Sequence, residues 1–274
     1  MTKFTQTYPT DVKYIEWQQI EQYFAPCKLG RPRKWEMWLI INAILYVTRT
    51  GCQWPRRVLP KDLPPWQTVY GYFWRWTRTG KWEPINAMLV KQARQQAGRN
   101  PLPSAASIDS QSVKTSEGGE ARGVDVHKQT NGRKRHIVVD TMGLLLLVVV
   151  HSASIQDNAG GKLVLQALFD RDKRKLHNRW CQLKHIWADG GYRDIIEYVR
   201  QHFGWVLEIV KRPVGAKGFK VLPRRWVAER SFGWFGRYRR LARDYEHTVS
   251  SSEAMVYLAS IRRTLKVVTA PKST

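Results

Sequence analysis

Two different periods of hydrophobicity divide the chain. From Trp35 to Thr48 the sequence is apolar almost all round, with Trp38, Leu39, Ile40, Ile41, Ile44, Leu45 and Val47, which is the mark of a buried helix. Gly51 and Pro55 stop it. After Pro64-Pro65 a second helix places Val69, Phe73 and Trp76 on one face and Gln67, Gly71, Arg75 and Arg78 on the other. A third starts at Pro84, a favoured first helical position, and ends near Ala97. The turn-forming run from Ala97 to Ser104, with Gly98, Asn100, Pro101 and Pro103, then marks a boundary between a helical domain over 1–100 and a second domain over 101–274.

Beyond the boundary the pattern shortens to strands. A segment ending at Asp109, one from Ile137 to Asp140 and one from Leu144 to Val150 read as three strands, with Asp140-Thr141-Met142-Gly143 as the hairpin between the last two. A helix over 158–169 follows, then a strand from Leu183 to Ala188, a helix from Arg193 to Phe203 and a strand from Trp205 to Val210. A long helix is expected from Trp226 to Tyr245, with an apolar stripe at Val227, Trp234, Tyr238, Leu241 and Tyr245, and a last one over 253–267. The order β-β-β-α-β-α-β-α-α predicts an α/β fold, a ribonuclease H-like mixed sheet flanked by helices. A small all-α, helix-turn-helix-like domain precedes it.

Charge narrows the partner. Lys and Arg total 46 against 22 Asp and Glu, a net charge of +24. Residues 1–100 hold 16 basic and 6 acidic side chains, leaving 30 and 16 for the rest, so both halves suit a polyanion held along its length. Cys27, Cys52 and Cys181 lack any paired spacing, so neither a zinc site nor a disulfide framework is expected, and a reducing interior is the simplest home. The start of the chain lacks the apolar core of a secretory signal, and the longest apolar run, Leu144 to Val150, has seven residues, too few to span a bilayer. A cytoplasmic, nucleoid-associated protein is expected.

Against this basic background three acids need explanation. Asp109 and Asp189 each end an apolar run, and Glu229 is the one acid among eleven basic residues between Lys211 and Arg243. Two strand-end aspartates and a helical glutamate can hold two Mg²⁺ ions, or Mn²⁺ in their place, the arrangement proteins use for in-line attack on phosphodiesters. Gly190-Gly191 after Asp189 leaves room for backbone and phosphate to approach. Positions 225, 229, 233, 236 and 240 fall on one helical face and read Arg, Glu, Gly, Gly, Arg, a face that something approaches closely. Gln67, Arg75 and Arg78 are the side chains suited to reading base edges. Arg133, Lys134 and Arg135, in an expected turn, are set to grip phosphate or to be solvated. Asp157 reads as a helix cap or an auxiliary acid, His136, His151 and His185 as structural histidines, and most of the seven Trp between 35 and 82 as core.

The motifs also resemble a family. Ser107-Ile108-Asp109-Ser110-Gln111-Ser112-Val113-Lys114, the stretch Gly132 to Thr141, Ala188-Asp189-Gly190-Gly191-Tyr192, the stretch Arg224 to Phe232, and Asp244-Tyr245-Glu246 are similar to DDE transposases of bacterial insertion sequences, the insertion-sequence-five group. The Trp-rich block from Trp54 to Trp82 resembles that family's amino-terminal domain, and the likeness covers about residues 34–268. Wider relatives carry a tyrosine and a lysine where this chain has Leu222 and Gly236, so DNA clamping falls to other residues: Arg224, Arg225, Arg230, Arg237 and Arg240. The resemblance implies double-stranded DNA as partner, both terminal inverted repeats and target, with a dimer forming on the element ends. It implies metal-dependent strand cleavage and strand transfer, with Asp109, Asp189 and Glu229 catalytic. A same-fold nuclease or resolvase, or a catalytically idle DNA-binding regulator derived from a transposase, is the alternative.

Overall fold

The computed structural model describes residue 4 and residues 6–25, 33–54, 58–116, 118–174, 182–210 and 224–271. Cys27, Pro55, Cys181, Leu222 and the first part of the basic run from Lys211 lie outside them. Four helices come first: α1 (Tyr14–Ile20), α2 (Met37–Thr50), α3 (Trp66–Arg78) and α4 (Trp82–Gln96). Gly51 ends α2 in the left-handed conformation that glycine adopts at no steric cost. The strands are β1 (Ala105–Lys114), β2 (Gly123–Asp125), β3 (Thr130–Asp140), β4 (Leu145–Ser152), β5 (His185–Ala188) and β6 (Val206–Ile209). Among them and after them lie α5 (Asp157–Arg174), α6 (Ile196–Phe203), α7 (Trp226–Phe235), α8 (Arg239–Ala242) and α9 (Val249–Val268).

The sheet order is β2-β3-β1-β5-β6, with β4 also on β3. β3 runs antiparallel to β1 and β4, whereas β5 and β6 run parallel to β1, the mixed sheet of a ribonuclease H-like domain. Both faces are covered, which is why β4 reads as an unbroken apolar run. Ile137, Val139, Val148 and Val150 join a core with the amino-terminal helices and α9. Alternate positions such as Val138 and Leu147 pack with α5 and α6 on the other face.

That first core does not stop at residue 100. α9 is buried on nearly every side, with Ala254, Met255, Leu258, Ile261 and Leu265 among its buried residues, and it is enclosed by α2, α3, α4 and β4. Polar clasps fix the same junction. Asn86 of α4 donates to the carbonyl of Leu145 (2.7 Å) and accepts from Ser260 (2.7 Å). Arg94 pairs with buried Asp140, and Arg262 of α9 pairs with Glu16 (2.7 Å) while donating to the carbonyls of Thr10 and Asp11.

Three expectations are corrected. The stretch 132–135 is not a turn: β3 begins at Thr130, because antiparallel pairing with β1 continues as far as Lys114 opposite Gly132. Its basic side chains are buried. Arg133 donates to the carbonyls of Glu120, Glu246 and His247 and pairs with Asp244, Arg135 donates to the carbonyl of Leu241, and Lys134 pairs with Asp125 and Asp157. These three are therefore interior clasps, not phosphate contacts at the surface. The helix expected from Trp226 to Tyr245 breaks after Phe235, where two nearby glycines weaken it and extended Tyr238 turns into the core. Arg240 consequently leaves the Glu229 face and is buried on Glu246 (2.6 Å), while Tyr245, expected on the apolar stripe, is exposed. β1 likewise runs five residues past Asp109, so that acid is mid-strand.

Arg133→Ala removes the donor to the Glu120, Glu246 and His247 carbonyls and one of the cations at Asp244, and is expected to lower stability by about 3–5 kcal/mol. Urea unfolding checks this. A loss within about 0.5 kcal/mol, typical of surface sites, would return Arg133 to the solvent.

Candidate active site

The site forms where two strands part. β5 pairs with β1 only as far as Ser107 opposite Trp187, and beyond that point the two strands diverge. Asp109 lies two residues past the last pair on β1, and Asp189 two residues past it on β5. Crevices at the carboxyl ends of parallel strands are where open α/β sheets bind ligands. Asp109 stays anchored on its other side by pairing with Ile137 of β3, and its Oδ1 accepts from the Ser110 N–H (2.7 Å).

Asp189 caps a short 3-10 helix, Gly190–Ile195, its Oδ1 accepting from Gly191 N–H (2.9 Å). A side chain at Gly191 would crowd Asp189 Oδ1 (3.1 Å), so the glycine eases this tight cap, whereas Gly190 faces open space. Glu229 arrives from the first turn of α7, which packs against β1 and β3. The approach to α7 is pinned by the Ser107 hydroxyl, which donates to the carbonyl of Arg224 (2.6 Å). Arg224 itself has φ of 73°, an unusual conformation for a bulky residue, at the entrance to the helix.

Electrostatics ties the three acids together. Asp109 is pushed up from an ordinary 3.8 to about 6, chiefly by burial and then by the negative charges of Asp189 and Glu229, against the opposing Ser110 N–H and Arg225. Glu229 is paired with Arg225 (2.8 Å). A hard divalent cation suits these oxygen donors and would relieve the repulsion at Asp109. As placed, the carboxylates ring the crevice without closing on a point. Among the described residues no three acid, His or Cys side chains stand close enough to enclose a metal ion.

Asp157 is both helix start and second-layer acid. At the first residue of α5 it accepts from the Ser110 hydroxyl (2.8 Å) and pairs with Lys134 (3.0 Å). Burial works to raise its pKa, but Ser110 and Lys134 together hold it below the usual value. Lys134 continues to Asp125 (3.2 Å), which is held down to about 2 although burial opposes this, because Ser112, Lys128 N–H and Lys134 all favour the carboxylate. Behind them His136 faces His151 (2.8 Å), and burial with the His151 charge pushes His136 down to about 3. Asp157 was singled out in the sequence as a cap or auxiliary acid, but its links to Lys134 and the two histidines were not, though the pair Gly160-Gly161 inside α5 signals them. A Cβ at Gly160 would meet His136 at 2.4 Å, and one at Gly161 would meet the Tyr192 ring at 2.7 Å.

The expected DNA-facing residues separate clearly. Gln67, Arg75 and Arg78 are exposed on α3, opposite the buried Val69, Phe73 and Trp76. Arg78 lies over the exposed Trp74 (4.6 Å) beside them. Arg224 and Arg237 are exposed, and half-buried Arg230 sits between Trp226 (4.7 Å) and Trp234 (4.6 Å) while donating to the Met142 carbonyl. Gly233 on α7 has open space around it.

Because the fold favours the protonated form of Asp109, that group's stabilising contribution is complete below pH 3.8 and is lost as pH rises to about 6. In EDTA, Asp109→Asn therefore melts above the parent at pH 8, and the difference closes as pH falls to 4. Thermal unfolding across this range checks it, and a gap independent of pH would contradict the crowding of charge.

Residues 100–262, more than half of the chain, match the family described as "Transposase DDE domain". Residues 14–86 match "Putative transposase of IS4/5 family". No curated protein matches at a significant level. The first match spans the two aspartates and the glutamate at the parted strands, and the second spans the helices packed on α9. The chain thus belongs to the DDE transposases, of the kind carried by IS4/IS5-type insertion sequences.

Proposed function

We propose that this transposase binds the terminal inverted repeats of its element and catalyses metal-dependent cleavage of DNA there and transfer of the cut strand to a target. The observation that supports the reading is that Asp109 and Asp189 flank the point where β1 and β5 part, with the charges of Asp189 and Glu229 both acting on Asp109. These three would hold two Mg²⁺ ions, with Mn²⁺ as substitute; when bound, the ions supply activation of water or a 3′-hydroxyl and stabilise the leaving oxygen. Arg225, paired with Glu229 (2.8 Å), would be at hand to meet a phosphate beside that carboxylate. Open Gly190 and Gly233 leave space for a phosphodiester on either side of the acids. Arg224, Arg230 and Arg237 flank that path as cations.

Recognition would rest with α3. Its Gln67, Arg75 and Arg78 present amide and guanidinium groups of the type that pair with adenine and guanine edges in a major groove. The buried side of the same helix fixes its orientation relative to the catalytic crevice, so sequence reading and cutting occur in one rigid frame. A dimer on paired element ends completes the reading. Helices among the described residues give no membrane span, since none is long and apolar enough to cross one.

The test uses DNA carrying the repeats that flank the coding sequence. Asp189→Asn and Glu229→Gln are expected to bind it like the parent but to lose Mg²⁺-dependent nicking by at least about a thousandfold, as for residues acting as one unit. Alanine at Gln67, Arg75 and Arg78 is expected to do the reverse, erasing the preference for repeats over random DNA. Nicking by Asp189→Asn at the parent rate would defeat the catalytic assignment, and cleavage without joining to target would leave a nuclease.

Leucine at Gly233 separates space from stability. The glycine has no neighbour to hold, so Gly233→Leu is expected to unfold no earlier than the parent and to gain up to about 1 kcal/mol from helix propensity. Cutting should nevertheless fail, because the side chain fills the phosphate path. Calorimetry and a nicking assay on one preparation distinguish this from a packing role.

A further inference from the structure

A second concavity, away from the parted strands, has chemistry of its own. It is a crevice of about 570 Å³ between α2, the bend joining α7 to α8, α9 and the segment Tyr8–Thr10. Its walls carry Arg49, Arg237, Arg262, Arg263 and Lys266, and no carboxylate among the described residues. Arg262 is neutralised from behind by Glu16, which leaves four cations facing the space. A basic patch is normally dispersed and hydrated. Here two of the guanidiniums are fixed against rings, Arg263 over Trp234 (3.1 Å) and Arg49 over Tyr238 (5.1 Å).

That fixation has a cost that an anion would offset. Burial, and then the neighbouring Arg230, lower Arg263 to about 10. Lys266 is also lowered, first by burial and then by Arg262 and Arg49. Arg263, at about 10, stays charged at neutral pH although half-buried, and Arg49 lies near enough to Lys266 to repel it. Guanidiniums already oriented by stacking lose little freedom when they bind an oxyanion, which favours phosphate over a diffuse counter-ion cloud.

The position identifies the anion. Glu229, Gly233 and Gly236 follow one another along the exposed side of α7, with open space at Gly233, and Arg237 stands at the rim of the crevice. From Glu229 to Arg237 is about two helical turns. We propose that this crevice is a binding site for the DNA backbone, receiving the phosphodiesters of the strand that leaves the catalytic carboxylates along α7, with Arg49, Arg237, Arg263 and Lys266 as its cations. The proposal rests on the DNA-processing reading above and adds a second anchorage to it. Because α2 and α9 both wall the crevice, DNA seated there touches the amino-terminal helices and the catalytic domain together.

The test measures binding of the full-length chain to duplex oligonucleotides in EDTA, where no cutting occurs. Arg237 and Lys266 are exposed, so Arg237→Gln with Lys266→Gln keeps the fold, as thermal melting verifies. The pair is expected to weaken binding about tenfold and to flatten the dependence of log affinity on log salt by about 2, one phosphate contact for each residue. A control pair of exposed lysines outside the crevice, Lys162→Gln on α5 with Lys184→Gln just before β5, is expected to change the slope by less than half as much. Equal losses from both pairs would mean only diffuse charge, and no loss from the crevice pair would mean no contact; either overturns the proposal. So would protection of the crevice by inorganic tripolyphosphate with DNA binding unaltered, which would mark a small-phosphate site. A chain that binds as expected but does not cut in Mg²⁺ would refute the catalytic reading alone.

Discussion

The early end of the β1/β5 ladder is the constraint on which the rest of the molecule depends. Had the parallel pairing continued past Ser107 and Trp187, the backbone at Asp109 would face another strand, not a crevice. β3 holds β1 in place through that gap by pairing along its whole length. One edge of the strand is thus rigid and the other open, which lets an acid be fixed in space and still be reached. Asp189, on the other lip, is fixed by its own Gly191 cap, and Glu229 is brought over the gap by a helix whose entry is tied to Ser107.

The charge of the chain does two separate jobs. Arg133, Arg135, Arg240 and Arg262 are buried and donate to backbone carbonyls and acids of irregular segments. A guanidinium with five donors can satisfy several carbonyls that belong to no helix or strand, a task for which lysine has the wrong shape. The exposed set on α3, along α7 and around the α2/α9 crevice is smaller and more organised than a net charge of +24 suggests. Counting basic residues therefore understates what arginine contributes to the interior.

Much of this was legible in the sequence, for identifiable reasons. The hairpin at Asp140-Gly143, the buried α2 and the alternation of strands and helices follow from period and turn chemistry, both local properties. The three acids stood out because each interrupts a pattern. Whether Gly132-Arg133-Lys134-Arg135 was turn or strand could not be read locally, since the answer lies in partners more than a hundred residues away, Asp244, Glu246 and His247. The break after Phe235 was hidden for a similar reason. Its glycines weaken the helix, but what ends it is the chance for Tyr238 and Leu241 to enter the core beside α2 and α9. Asp157 was readable as a cap or auxiliary acid, but its links to Lys134 and the two histidines were equally invisible, because sequence spacing says nothing about which strands become neighbours.

The placement of α9 has a consequence for how such elements decay. Helix α9 is enclosed by α2, α3 and α4 from the first hundred residues, so the two segments share one core. A copy that loses its start, by deletion or by translation from an internal methionine, would leave α9 and one face of the sheet bare. Its product would be cleared or aggregate instead of persisting as a folded competitor for the element's ends.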